Sequence, residues 1–162
     1  MRTAGRIAVT AALLTAVAVV PAAASTTTSS PRPPAPSVSG SPEVAYNRVA
    51  DFYGTYIDAG YGEGGVAAGR LSDSLRKFYL TPKLRRHLAA WENRNHADGV
   101  LRAQNVPRAW KVTPGDSGME HTWSTVRLTW GSPRHPAYTY LDVQSDLATK
   151  KISWIREAGP RR

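Results

Sequence analysis

The chain contains no cysteine. That excludes a disulfide framework, a thiol nucleophile, any thiolate metal site and a lipid-modified cysteine. Whatever holds this protein together is an ordinary hydrophobic core. Histidines are few and badly spaced for metal. His87, His96, His121 and His135 contain no His-x-x-x-His pattern, and the carboxylates are scattered, so no metal site is expected. A G-x-S-x-G elbow, a phosphate loop and a dinucleotide fingerprint are all missing as well, and no cofactor is expected. Acidic residues are scarce beside basic ones, 12 against 21, which leaves a formal charge of +9. Such a charge draws a protein toward anionic polymers and headgroups without choosing among them.

Long apolar runs are also absent, with one exception at the start. Arg2 and Arg6 precede an uncharged apolar run from Ile7 to Val20; Pro21 and the small residues Ala22–Ala24 follow. This is the pattern of a secretory signal peptide over residues 1–24, with cleavage before Ser25 and a secreted product. An uncleaved membrane anchor would need about 20 apolar residues, more than the run offers. Stable membrane insertion after cleavage is therefore not expected. Loss of residues 1–24 removes two arginines and no acidic group, so the mature chain stays strongly basic. Residues 25–41, STTTSSPRPPAPSVSGS, can build no core and read as a disordered tether. It serves either as a spacer through a thick wall or as a passive leader.

The folded domain is expected over residues 42–157, with 158–162 as a basic tail. Ser41 and Pro42 suit a helix start, and Ala45, Val49, Phe52, Tyr53, Tyr56 and Ile57 form one apolar stripe at helical spacing. Gly60, Gly62, Gly64 and Gly65 end that helix in a loop. Leu71–Tyr79 predicts a short second helix. Thr81-Pro82 opens a third, with Leu84, Leu88 and Trp91 on one face and an end near Asn95. Asp98–Asn105 reads as a further helical turn.

After Pro107 the period becomes two, predicting strands at 108–113, 119–130, 137–145 and 150–156, separated by PGDSG, GSPRHP and DLAT. Helices first and strands afterwards predict an α+β fold, with N-terminal helices packed on a curved antiparallel sheet of about four strands. Pairing Trp130 with Ala137 sets Val126 against Leu141 and Leu128 against Thr139. Closing the next hairpin around Asp146–Thr149 would set Ile152 beside Val143 and Trp154 beside Leu141, both on the core face. The other face then carries Trp123, Thr125, Arg127, Tyr138, Tyr140, Asp142 and Gln144, a polar but aromatic surface.

Four features together resemble the nuclear transport factor 2-like superfamily of cone-shaped α+β domains, especially its exported bacterial members. They are V-x-x-F-Y-x-x-Y at Val49–Tyr56, T-P-K-L-x-x-x-L at Thr81–Leu88, D-G-V-L-x-A-Q-N-V-P at Asp98–Pro107, and the sheet that follows. The resemblance implies a sheet wrapped around helices with a pocket at the open end of the cone. It implies no single activity, because that fold hosts isomerase-like enzymes, dehydratases, adaptors and secretion-system parts. In exported relatives the Asp and Gln of D-x-x-L-x-A-Q recur, which points to Asp98 and Gln104.

Catalysis in such a cone would need an acid/base group in the pocket, and the candidates are Tyr53, His96, Asp98 and His121, with His87 and Asp142 behind them. None forms a recognisable dyad in the sequence. His87 reads as exposed on a basic helix, and His121 falls near Asp146 at a sheet end. Arg70, Arg76, Lys77, Lys83, Arg85 and Arg86 form the densest charge cluster. They make either a solvated helix face or a ridge that docks an anionic polymer by counterion release. Arg127 across from Tyr140 and Asp142 opposite Thr125 are sound cross-strand partners; with Gln104 and Tyr138 they also suit a ligand, a protein partner or a homodimer formed through the sheet. Nucleic acid is not an expected partner.

The leading expectation is a secreted, non-enzymatic binding or adaptor domain acting at the cell surface on a small ligand or an extracellular protein. The alternatives are an isomerase- or dehydratase-type enzyme with an Asp/His/Tyr pocket, and an electrostatic binder of anionic wall polymer.

Overall fold

A computed structural model describes residues 37–61 and 66–159, and every element below belongs to the unit Val38–Arg162. The expected signal peptide, nearly all of the tether, Gly62, Gly64 and Gly65, and the end of the basic tail lie outside the described residues. Three helices, α1 (Ala45–Tyr61), α2 (Val66–Tyr79) and α3 (Pro82–Asn95), precede four strands, β1 (Ala109–Gly118), β2 (His121–Ser132), β3 (His135–Asp146) and β4 (Ile152–Glu157). The strands form one open antiparallel sheet in the order β1-β2-β3-β4. This is the expected α+β architecture. Among the described residues, no helix is long and apolar enough to cross a membrane.

The stripe on α1 sets the core. Ala45, Val49, Phe52, Tyr53, Tyr56 and Ile57 are all buried, and α1 lies over β1, β2 and β3. Phe52 packs between Tyr53, Tyr56 and Tyr79, with ring centroids 5.3–5.5 Å apart. From the sheet, Val126, Leu128, Leu141 and Val143 close the same cluster. Ser41 Oγ accepts from the Glu43 amide, but residues 42–44 form turns and regular helix starts at Ala45.

α2 begins before the predicted Leu71. Thr81 caps α3 as its residue type requires, its hydroxyl accepting the Leu84 amide at 3.2 Å ahead of Pro82. The Thr81 amide donates to the Ile152 carbonyl at 2.9 Å, which ties the α2–α3 junction to β4. The predicted helical turn at 98–105 is instead a loop closed by an Asp98–Ala103 bridge. Asp98 Oδ1 accepts both the Val100 and Leu101 amides at 2.8 Å, and this side-chain competition for backbone donors keeps the segment out of a helix.

The β2–β3 register is the expected one: Val126 opposes Leu141, Leu128 opposes Thr139 and Trp130 opposes Ala137. Two other sheet expectations are corrected. PGDSG does not end β1; it stays in the strand as a bulge between Pro114 and Ser117, and the chain turns at Met119–Glu120. Proline is tolerated there because β1 is an edge strand, where a missing N–H is not needed for a ladder.

The β4 register is also shifted. Ile155 opposes Val143 and Trp154 opposes Gln144, so Ile155 is buried and Trp154 is not. The cause is the turn. Asp146 Oδ1 accepts the Thr149 amide at 2.6 Å, Lys150 takes a left-handed φ of 58°, and pairing resumes only at Asp146 with Lys151. An odd slip in register moves a strand's side chains to the opposite face. A bulge beside Gln144 and Ser145 then restores Ile152 to the core.

Candidate functional site

Two clusters of polar side chains stand out, one on each side of the sheet. The first joins the three helices to the loop after α3. Arg76 projects from α2 and donates through Nε to the Tyr56 hydroxyl at 2.9 Å. Its two terminal nitrogens reach Glu92 at 3.1 and 2.7 Å, and the second also reaches Asp98 at 3.0 Å. Tyr56 in turn donates to Asp98 Oδ2 at 2.5 Å, and the Gly99 amide donates to Glu92 Oε1 at 2.8 Å.

Burial and the Asp98 charge push the Tyr56 phenol well above its ordinary range, so it stays a neutral donor. For Glu92, burial works to raise the pKa, but the hydrogen bonds from Arg76 and Gly99 outweigh it and hold the carboxyl low. Burial likewise opposes the charge on Arg76, and Glu92, Tyr56 and Asp98 together overcome it. Each strong donor in this cluster meets an acceptor. The cluster floors an open cleft of about 750 Å³, with His96 and Gln104 on its rim.

The second cluster lies on the opposite side of the sheet, away from the helices. Cross-strand rows align Lys111 with Arg127 and Tyr140, Thr113 with Thr125, Asp142 and Arg156, and Trp123 with Gln144 and Trp154. These residues line a groove of about 610 Å³ that continues past Trp123 into a smaller hollow of about 280 Å³ beside Trp154. Gly115 forms part of its wall, and its backbone packs so closely on β2 that a Cβ there would come within 3.1 Å of the Trp123 carbonyl oxygen.

Trp123 is 37% exposed, Trp154 36% and Tyr138 49%. Arg127 leans diagonally over the Tyr138 ring, its guanidinium carbon 5.0 Å from the centroid. That stacking covers Arg127 Nε, which has no hydrogen-bond partner. Arg156 pairs with Asp142 at 3.3 Å. Among the described residues, Lys111 and Arg127 pair with no carboxylate.

The structure distributes the sequence-predicted residues as follows. Tyr53 is sealed in the core; its hydroxyl donates to the Val100 carbonyl at 3.4 Å, and burial raises its pKa strongly. His96 is the exposed left-handed cap of α3, and its carbonyl accepts from Gln104 at 3.3 Å. His121 sits at the far end of the sheet opposite Asp146, as expected, with Nδ1 buried and unpartnered. His87 stacks on Trp154 with centroids 4.5 Å apart and is half-buried, not exposed. Asp98 and Gln104 share the helix-side cleft, while Arg127, Tyr140 and Asp142 share the outer groove with Tyr138 beside them.

The basic cluster on the helices does not form one continuous ridge. Arg70, Lys77, Lys83 and Arg86 are exposed, Arg85 is half-buried, and Arg76 turns inward to the polar network. Sequence reasoning missed Lys111 and Arg156 and placed Trp154 in the core. The opposite charges of Asp142 and Arg156 carried a usable signal for the β4 register, because cross-strand ion pairs favour that alignment. Among the described residues, no group of three or more His, Asp or Glu side chains is placed to hold a metal ion.

The class defined by this fold is a three-helix, four-strand antiparallel α+β domain. No family model matches the chain, and no curated protein matches it. Among solved structures it is similar to a protein of unknown function from Bacteroides thetaiotaomicron VPI-5482. The TM-score is 0.52 at 20% identity, over 69% of this chain and 88% of the other. At that identity the likeness concerns the fold alone.

Proposed function

We propose that this chain is an exported, non-enzymatic binding domain of nuclear transport factor 2-like type, and that the outer face of its sheet is the working surface. The observation that carries this reading is the groove itself. It combines part-exposed tryptophans with two cations, Lys111 and Arg127, that form no ion pair among the described residues, on the sheet face opposite α1, where α3 reaches only Trp154 through His87. Aromatic and arginine side chains are the residue types that dominate recognition surfaces.

Two further observations favour binding over catalysis. The space between α1 and the sheet, where a cone pocket would lie, is occupied by Phe52, Tyr53 and Tyr56. The acid/base candidates also do not converge: Tyr53 is sealed, His96 and His121 lie on separate elements, and Asp98 is bonded to Tyr56, Arg76 and two amides. Action at the cell surface is the location that the signal-like residues 1–24 support.

Hydroxyl-radical footprinting of the full chain, with and without a purified cell-envelope fraction, tests the reading. The expected result is protection of Trp123, Trp154 and Tyr138. Protection confined to Leu71 and Phe78 of α2 would overturn it. Protection that follows protein concentration alone would assign the face to a second copy and would also overturn it.

A further inference from the structure

We infer that the outer groove recognises an acidic saccharide, with sugar rings against Trp123 and Trp154 and a carboxylate on Arg127 and Lys111. This rests on the reading of that face as the binding surface and adds the chemistry of the occupant. Three properties of the groove select that class.

The first is the charge balance. Arg127 and Lys111 pair with no carboxylate among the described residues, whereas Arg156 is already engaged by Asp142. One anionic group placed beside Arg127 and Lys111 completes the balance. The Arg127 guanidinium is also held in place by Tyr138, and a planar fork fixed in this way suits a carboxylate.

The second is the mixed sign of the lining. Asp116 and Asp142 stand in the same groove, with Gln144 in the adjoining hollow. Carboxylates accept hydrogen bonds and cannot donate them once ionised, so they match the O–H groups of a polyol. A strand of nucleic acid presents a phosphate at every step and few O–H donors, so it offers little to Asp116 and Asp142. The tryptophans alone would not discriminate, since bases also stack on them; the aspartates do.

The third is shape. Trp123 and Trp154 lie on one cross-strand row with Gln144 between them. They mark the two sides of the 280 Å³ hollow, which opens from the larger groove. A ligand lying across the rows, from Trp123 past Thr125 to Arg127 and Lys111, meets apolar ring faces at one end and cations at the other. An alternating saccharide of charged and neutral units has that same asymmetry.

The test measures tryptophan fluorescence and calorimetric binding of the full chain with a tetrasaccharide alternating glucuronate and N-acetylglucosamine. Chitotetraose serves as the neutral control and a twelve-nucleotide oligo-dT as the polyanion control. Binding of the acidic tetrasaccharide is expected at least tenfold tighter than either control. Arg127→Gln and Trp123→Ala are each expected to weaken it about tenfold or more, with unchanged circular dichroism. Arg127→Lys, which keeps the charge and loses the fork, should fall between.

Equal binding of chitotetraose, tighter binding of oligo-dT, or affinity indifferent to both Arg127→Gln and Trp123→Ala would each overturn the inference. Absence of any saccharide binding, together with envelope protection of Trp123 and Trp154, would remove the acidic saccharide and leave the broader reading of the face intact. Should Trp123→Ala fail to fold, Trp154→Ala at the edge strand replaces it.

Discussion

Arg76 and Arg127 are both partly covered arginines beside tyrosines, yet their surroundings differ. Arg76 contacts Tyr56, Glu92 and Asp98, so both its charge and its donors are met from within the chain. Arg127 stacks on Tyr138, leaves Nε without an acceptor and opens onto a groove. Burying an ionic group costs several kcal/mol unless partners offset it. The helix-side cluster offsets that cost internally and thereby fastens α1, α2, α3 and the 98–101 loop to one another. On the sheet side Asp142 meets Arg156, while Arg127 and Lys111 form no ion pair among the described residues. Saturated polar groups mark a structural joint here, and the open ones lie where the proposed ligand would bind.

The comparison breaks most sharply if Arg76 is removed. Arg76→Met should destabilise the fold by about 3 kcal/mol in urea unfolding, near the low end for stripping one partner from a buried ion pair. Arg127→Gln should change stability by no more than about 1 kcal/mol, the scale of the one cation–π contact with Tyr138 that it removes. Equal losses in the two variants would erase the distinction.

A smaller effect is expected from Tyr56→Phe. It removes the hydroxyl that donates to Asp98 and accepts from Arg76, at about 1–3 kcal/mol for polar groups left unsatisfied.

pH sharpens the contrast further. The Glu92 pKa is lower in the fold than in the unfolded chain, so its contribution is present above the ordinary glutamate value of about 4.3 and fades as pH falls below it. Tyr53 and Tyr56 have raised values, so their contribution is full below the ordinary tyrosine value of about 10 and declines as pH rises past it. Chemical denaturation from pH 2.5 to 11 should therefore show losses at both ends. Glu92→Gln should flatten the acid limb, and Lys111→Gln should leave both limbs unchanged. An acid limb unaltered by Glu92→Gln would assign acid sensitivity to other carboxylates.

Much of the fold was legible because periodicity reports burial directly. The α1 stripe, the Thr81-Pro82 start of α3 and the β2–β3 register each follow from local pattern alone. The outer face was legible to the same extent, since fixing β2 against β3 also fixes where Arg127, Tyr140 and Asp142 point. Apolar periodicity did not reveal the β4 register, and only the Asp142–Arg156 charge pairing hinted at it. It depends on Lys150 adopting a left-handed conformation and on the Asp146 side chain holding the turn, and alternating apolar residues fit two alignments equally well.

Likewise, the basic run through α2 and α3 gave no sign that Arg76 alone would turn inward. The acceptors that draw it, Glu92 and Asp98, lie 16 and 22 residues further along the chain.

By itself, the sequence determined the order of elements, the α1 core stripe and the central strand pairing, because each rests on the spacing of neighbouring residues. Only the tertiary structure decided which charges are spent on the protein's own carboxylates and which stay open. That depends on distances between groups far apart in the chain, where a slip in register or one reoriented arginine changes the outcome. The two tryptophans that flank the outer groove show the same division. Trp123 was placed by its own strand's alternation, and Trp154 reached its side only through the turn that precedes β4.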